Sequence, residues 1–234
     1  MNVMTTKVEF HCHTANSFDC EVPLSLRLDR YATLGFTHLA ITDHDAVLSK
    51  KDHALIATHG TKLRVIPAIE VSTHVGHVIL LNCKRKPWIN SLFFLVLWSK
   101  IFCSEIYVPH PCRKGTGLLI EYVKNEIPTW YILWFVSHVK YVEVWNPRDT
   151  IKDKVKVDPA IGRLLQKTCL TLASDSHYED DIYDKGCPKD GLQSTDPLIS
   201  RFFSQKIEME EVHISLTVRA VLRYIKSAMR YALH

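Results

Sequence analysis

The 234-residue chain is expected to fold as an α/β protein, a barrel or an open sheet, with its functional residues at the carboxyl ends of the strands. Two observations predict this. Short apolar, β-rich runs alternate with helical or irregular stretches, which is the pattern of parallel strand pairing. Run after run then stops at imidazole or carboxylate residues, where ligands sit in both architectures.

The elements follow in order. Val8-Glu9-Phe10 leads into His11-Cys12-His13, Leu39-Ala40-Ile41 into Thr42-Asp43-His44, and the run from Leu63 to Ile69 into Glu70. Ile106-Tyr107-Val108 leads into Pro109-His110-Pro111, the run from Tyr141 to Trp145 into Asn146, and the run from Leu170 to Ala173 into Ser174-Asp175-Ser176-His177. After Pro23, the positions of Leu26, Arg27, Arg30, Tyr31 and Leu34 give a helix that stops at Gly35, a residue suited to a left-handed cap. Asp158 before Pro159 starts another, with a capping side chain and then the preferred first-turn residue. From Tyr178 to Val212 the pattern reads as a long polar surface loop. An amphipathic helix over about 215–233 is expected to close a single domain spanning 1–234, with Arg219, Arg223, Lys226 and Arg230 on its outer face.

Composition excludes several classes. With 47% hydrophobic residues and a net charge of only +4, the chain can bury a core and is not disordered. Its seven cysteines are odd in number and form no C-x-x-C pair, so reduced thiols in a cytoplasmic protein are expected rather than a disulfide frame or a zinc ribbon. The apolar run Leu92 to Trp98 is far shorter than the roughly 20 residues a membrane span needs, and it reads as a buried helix, with a membrane contact as the lesser alternative. The five tryptophans read as core aromatics, with Trp145 able to line a pocket mouth.

Histidines carry the functional signal. His11 and His13 lie two apart on a strand, so both side chains leave the same face and Cys12 the other. Asp43-His44-Asp45 puts an imidazole between carboxylates, and Glu70 closes an apolar run where an unpaired charge would be costly to bury. His77 opens the next apolar run, with His74 a weaker rival, and His110 sits between two prolines in a rigid, extended loop. Asp175 and His177 repeat the two-residue spacing. Imidazole and carboxylate donors suit Zn²⁺, Mn²⁺ or Fe²⁺. Arg113, Lys114 and Arg148, just beyond two of these strand ends, are candidate phosphate clamps.

Taken in order, Phe-His-Cys-His-Thr-Ala-Asn-Ser-Phe-Asp (10–19), Ile-Thr-Asp-His-Asp (41–45), Ile-Pro-Ala-Ile-Glu-Val-Ser (66–72), Gly-His-Val (76–78), Pro-His-Pro (109–111), Val-Glu-Val-Trp-Asn (142–146) and Ala-Ser-Asp-Ser-His (173–177) resemble the PHP (polymerase and histidinol phosphatase) domain family of metal-dependent phosphoesterases. The resemblance implies a distorted (β/α)₇ TIM-like barrel holding two or three divalent ions (Zn, Mn or Fe). Carried over position by position, it implies that His11, His13, Glu70 and Asp175 hold one ion and act catalytically through it. Glu70 bridges to a second held by His77 and His110, and Asp19, His44 and His177 hold a third. The implied activity is hydrolysis of a phosphomonoester or of a nucleotide or oligonucleotide phosphodiester. The alternative is a metal-bearing, catalytically silent module in a larger assembly, with a protein partner. Substrate identity and oligomeric state do not follow from these residues.

Overall fold

The computed structural model describes residues 6–148, 155–188, 190–193 and 195–210. The helix expected over 215–233 lies outside them. One eight-stranded sheet organises the described part, with strand order β8-β6-β5-β4-β3-β2-β1-β9. Its members are β1 (Lys7–Cys12), β2 (His38–Ile41), β3 (Arg64–Thr73), β4 (Gly76–Leu81), β5 (Glu105–Val108), β6 (Val139–Trp145), β8 (Cys169–Leu172) and β9 (Cys187–Pro188). Strands β7 (Val155–Val157) and β10 (Ile207–Met209) pair separately and in parallel.

The sheet curls into a nearly closed barrel. Phe10 of β1 packs its ring 5.9 Å from Tyr107 of β5 and 5.4 Å from Tyr141 of β6, although β1 and β5 stand four strands apart along the ladder. Such contacts run across an enclosed interior. The seam is drawn together where Cys12 bridges Ser176 and the His13 amide donates to the Ser176 carbonyl at 3.1 Å. The register of β1 against β2 shifts between Glu9 and Cys12, a bulge beside the seam of the kind that re-aims side chains.

Parallel pairing dominates, as the alternation predicts, with two departures: the short edge strand β9 pairs antiparallel to β1, and β4 reverses inside the sheet. β4 runs antiparallel to both β3 and β5, because a hairpin at 74–75 folds it straight back. Gly76 makes this turn possible. Its φ is +98°, and a Cβ there would meet the Thr116 carbonyl oxygen at 2.4 Å. The same carbonyl accepts the His77 amide at 2.8 Å, so the close approach also fixes His77.

Seven helices are described: α1 (Leu24–Thr33), α2 (Lys50–Thr58), α3 (Leu92–Phe102), α4 (Leu118–Lys124), α5 (Thr129–Val136), α6 (Pro159–Leu165) and α7 (Pro197–Gln205). The expected helices appear as α1 and α6, the latter capped by Asp158, which accepts from the Ala160 amide at 2.8 Å. Leu24, Leu28 and Tyr31 of α1 pack with Cys12, Leu39 and Ile41 into one apolar layer. A larger layer joins β3 to β6 with α3, α4, α5 and α6.

Three expectations are corrected. The stretch 178–212 is not a plain loop. It contains β9, α7 and β10, and α7 opens on the same Asp-Pro device, with Asp196 accepting the Leu198 amide at 2.8 Å. The run 92–98 is helical but only half-buried: Leu92, Leu95, Val96 and Trp98 face the core, while Phe93 and Leu97 are exposed. Trp88 and Trp130 are exposed rather than core aromatics, because each precedes or opens an outer helix instead of facing the sheet.

Candidate metal centre

The carboxyl ends of β1, β2, β3, β5 and β8, with the hairpin start of β4, deliver one cluster of buried imidazoles and carboxylates. His11 and His13 come from the end of β1 and both are fully buried. Their Nε2 atoms lie 3.1 Å apart. Glu70 Oε2 is 3.1 Å from His11 Nε2 and 3.2 Å from His13 Nε2, and Asp175 Oδ1 is 3.3 and 3.4 Å from the same two nitrogens. A tetrahedral ion with bonds of about 2.0–2.1 Å sets its ligand atoms roughly 3.3–3.4 Å apart. These five separations therefore describe a cradle of the right size. Two imidazole nitrogens face each other there and can share only one proton between them, an arrangement a cation at the centre would satisfy.

Glu70 extends the cluster. Its other oxygen, Oε1, lies 2.8 Å from His77 Nδ1 and 3.1 Å from His110 Nε2. His44 turns Nδ1 towards Glu70 Oε2 at 3.4 Å and Nε2 towards Asp19 Oδ2 at 3.4 Å. Asp19 Oδ2 also meets His177 Nε2 at 2.9 Å. The donor atoms of His13, Asp19, His44 and His177 lie within 4.8 Å of one another, as do those of His11, His13 and Glu70, of His11, His110 and Asp175, and of His44, Glu70 and His77. All nine residues expected as ligands are thus brought together. His13 faces the Asp19 group as well as the first, so the groups share members.

Electrostatics match this packing. Burial opposes protonation of His11, but the charges of Asp175 and Glu70 outweigh it and hold its pKa well above the ordinary histidine value. Burial likewise opposes ionisation of Glu70, and the surrounding His11 and His77 reverse the balance and hold it well below the usual carboxylate range. His177 is pushed down to about 4, first by burial and then by His13. Two donors sit on positive-φ backbone, His110 at +27° and Asp175 at +50°. His110 is therefore not in the extended conformation its flanking prolines suggest. A turn, with Arg113 N donating to the His110 carbonyl at 2.9 Å, bends the chain there.

Supporting residues outside the expected ligand set surround the donors. Glu143 of β6 accepts from His11 Nδ1 at 3.0 Å, from the Tyr107 hydroxyl at 2.9 Å, from the His110 amide at 3.2 Å and from Asn146. Glu9 accepts from the His11 and Ser174 amides, both at 3.0 Å, and from the Ser174 hydroxyl; burial, partly offset by Ser174, raises its pKa to about 7. Asp43 accepts the Thr14 amide at 2.6 Å and its hydroxyl at 2.7 Å, locking the loop after β1. Buried Arg27 donates to the His13 carbonyl at 2.9 Å and the Tyr178 carbonyl at 2.8 Å. A buried carboxylate inside a β-rich run, as at Glu143 and Glu9, was the available signal.

The three candidate clamps differ. Arg113 places Nη1 2.6 Å from Asp175 Oδ2 and donates through Nη2 to Asn146 at 3.1 Å. Arg148 donates to His177 Nδ1 and lies against the Asp175 carbonyl. Lys114 is exposed and forms no ion pair among the described residues.

No family model and no curated protein matches this sequence. Solved structures do match in fold. A two-domain protein from Bacteroides vulgatus, containing a predicted PHP-like metal-dependent phosphoesterase, superposes with a TM-score of 0.53 at 18% identity, covering 74% of this chain and 52% of that one. An amidohydrolase from Chromobacterium violaceum, solved with bound sulfate and no metal, gives 0.56 at 15% identity over 86% of this chain and 97% of that one. A lesion-specific endonuclease from Pyrococcus furiosus gives 0.52 at 13% identity over 76% and 50%. The chain therefore spans about half the length of the first and third. The architecture is a distorted TIM-like barrel, as in the PHP-like structures on which the chain superposes, with metal-capable donors at its strand ends.

Proposed function

We propose that this chain is a PHP-type hydrolase that cleaves phosphoester bonds, either phosphomonoesters or nucleotide and oligonucleotide phosphodiesters. The observation that supports it most is Glu70, whose two oxygens reach His11, His13 and His44 on one side and His77 and His110 on the other. A carboxylate placed in this way is suited to bridging two cations. His11, His13, Glu70 and Asp175 fit a first ion, Glu70, His77 and His110 a second, and Asp19, His44 and His177 a third. Divalent ions held by these donors would lower the pKa of a bound water towards about 7 and would supply a counter-charge for phosphoryl oxygens.

The chain's own groups do the rest. Glu143 fixes the orientation of His11 and, through the His110 amide, of His110 as well. Arg113 holds Asp175 while a quarter of its side chain stays exposed, and Arg148 stands over His177, so both bring fixed positive charge to the edge of the donor cluster. Guanidinium groups held in this way are pre-organised for phosphate oxygens.

The test is a paired screen on protein reconstituted with Mn²⁺, Zn²⁺ or Fe²⁺, comparing aryl phosphate monoesters with bis-aryl diesters. Hydrolysis of either class, lost in His11→Ala and in Asp175→Ala, is expected. Wild-type turnover in those variants, or no hydrolysis by metal-loaded protein, would refute the reading.

A further inference from the structure

We propose that the outer face of α3, continued by the start of α5, docks on anionic lipid bilayers. Phe93, Leu97 and Ile101 stand at i, i+4 and i+8 and form one line along the helix, at 59%, 44% and 60% exposure. Trp88 and Trp130 flank that line at 79% and 63%. Ring contacts tie α3 to both flanking segments. Phe93 stacks on Trp134 of α5 at 5.6 Å, and Trp88 meets Trp98 of α3 edge-on at 5.6 Å. A contiguous exposed apolar surface of this kind marks an interaction site.

The charge around the patch selects the occupant. Residues 83–104 contain Lys84, Arg85, Lys86 and Lys100 and no aspartate or glutamate. All four cations are exposed, and none forms an ion pair among the described residues. Arg85 lies over the Phe102 ring at 5.7 Å, which joins the basic run to the end of α3. Apolar side chains that enter the acyl boundary, tryptophans at headgroup depth and unpaired cations facing lipid phosphates are the parts of an interfacial membrane contact. At 11 residues α3 is about 16 Å long, roughly half a hydrocarbon core, so it lies along the surface and does not cross. A protein partner would need pockets matched to five protruding side chains, whereas a bilayer takes them without shape matching.

The test is co-sedimentation of the full chain with vesicles of phosphatidylcholine alone and of equal parts phosphatidylcholine and phosphatidylserine, at low and high salt. Binding to the anionic vesicles, weakened by salt, is expected. Each cation near such a surface strengthens binding about fivefold, so Lys84→Glu/Arg85→Glu/Lys86→Glu should lower it about a hundredfold or more. Phe93→Ser/Ile101→Ser should lower it at least tenfold with the melting temperature retained, because both residues are exposed. Metal content should be unchanged in both variants, since neither touches the donors. No binding to anionic vesicles, or wild-type binding by both variants, would overturn the proposal. So would a concentration-dependent dimer that Phe93→Ser/Ile101→Ser dissociates while vesicles bind nothing, since the occupant would then be a second copy.

Discussion

Glu143 Oε2 accepts a hydrogen bond from His11 Nδ1 at 3.0 Å, and that contact decides which nitrogen of His11 faces the donor cluster. With Nδ1 committed, Nε2 points at His13, Glu70 and Asp175. The carboxylate itself is held by Tyr107, by Asn146 and by the His110 amide, so one residue orients donors from two strands. Partners of this sort set the tautomer and raise the basicity of a ligating imidazole.

Glu143→Ala should therefore weaken metal binding about 10- to 100-fold although Glu143 is not among the proposed ligands. Metal retained after dialysis, and activity against added metal, read this directly. A wild-type metal affinity would show that packing alone orients His11. Glu143→Gln separates the two roles, since it keeps the shape and removes the charge.

Chelation should destabilise the protein and readdition should restore it. Without an ion, the cluster must hold six imidazoles and three carboxylates together by proton sharing alone. An ion present at a hundred times its dissociation constant adds about 2.7 kcal/mol by mass action. For a chain of this size that corresponds to roughly 5–10 °C in melting temperature. Equal melting curves for chelated and Mn²⁺- or Zn²⁺-loaded protein would contradict the metal assignment.

How much of this was legible in the sequence depends on the range of the interaction. The strand ends at His11, Asp43, Glu70, His110 and Asp175 could be found because a local apolar run stops at each. The barrel followed from their repetition and from the ordered motifs. The antiparallel β4 was not visible, since it depends on Gly76 meeting the Thr116 backbone, a contact 40 positions away in the chain. The β-rich runs around Glu9 and Glu143 signalled buried carboxylates, but not their partners: Glu143 meets His11 and Glu9 meets Ser174 only once the barrel closes. α7 was legible and missed, because Asp196-Pro197 carries the same start signal as Asp158-Pro159. The exposure of Phe93, Leu97, Trp88 and Trp130 was not, since apolar periodicity cannot say which faces of a wholly apolar helix find a neighbour.

The cysteines should differ sharply in reactivity. Among the described cysteines Cys103 alone is exposed, in the left-handed cap of α3 with φ +53°. Cys12 and Cys187 are buried, and burial pushes each thiol up to about 12. Because the thiolate is the reactive form, alkylation at pH 8 should label Cys103 within minutes and spare Cys12 and Cys187 until the protein unfolds. Peptide mapping of labelled protein checks this. Early label on Cys12 would mean that the packing between α1 and β1 opens in the native state.

Acid should destabilise the fold partly through His74. This imidazole lies buried in the hairpin between β3 and β4, and burial lowers its pKa from 6.5 to about 4. The folded protein therefore keeps it neutral while the unfolded chain protonates it below pH 6.5. Between pH 6.5 and 4 the unfolded state binds the extra proton, so stability is full above 6.5 and falls as pH drops through that window. A shift of this size corresponds to roughly 3 kcal/mol at its limit. His74→Leu removes the proton site while keeping an apolar side chain in the hairpin. Its stability should fall less steeply than wild type between pH 6.5 and 4, whatever its value at neutral pH. Denaturant midpoints across that range, taken on chelated protein so that the donor cluster contributes the same titration to both, measure the slope. Parallel slopes for the two proteins would place the acid sensitivity elsewhere.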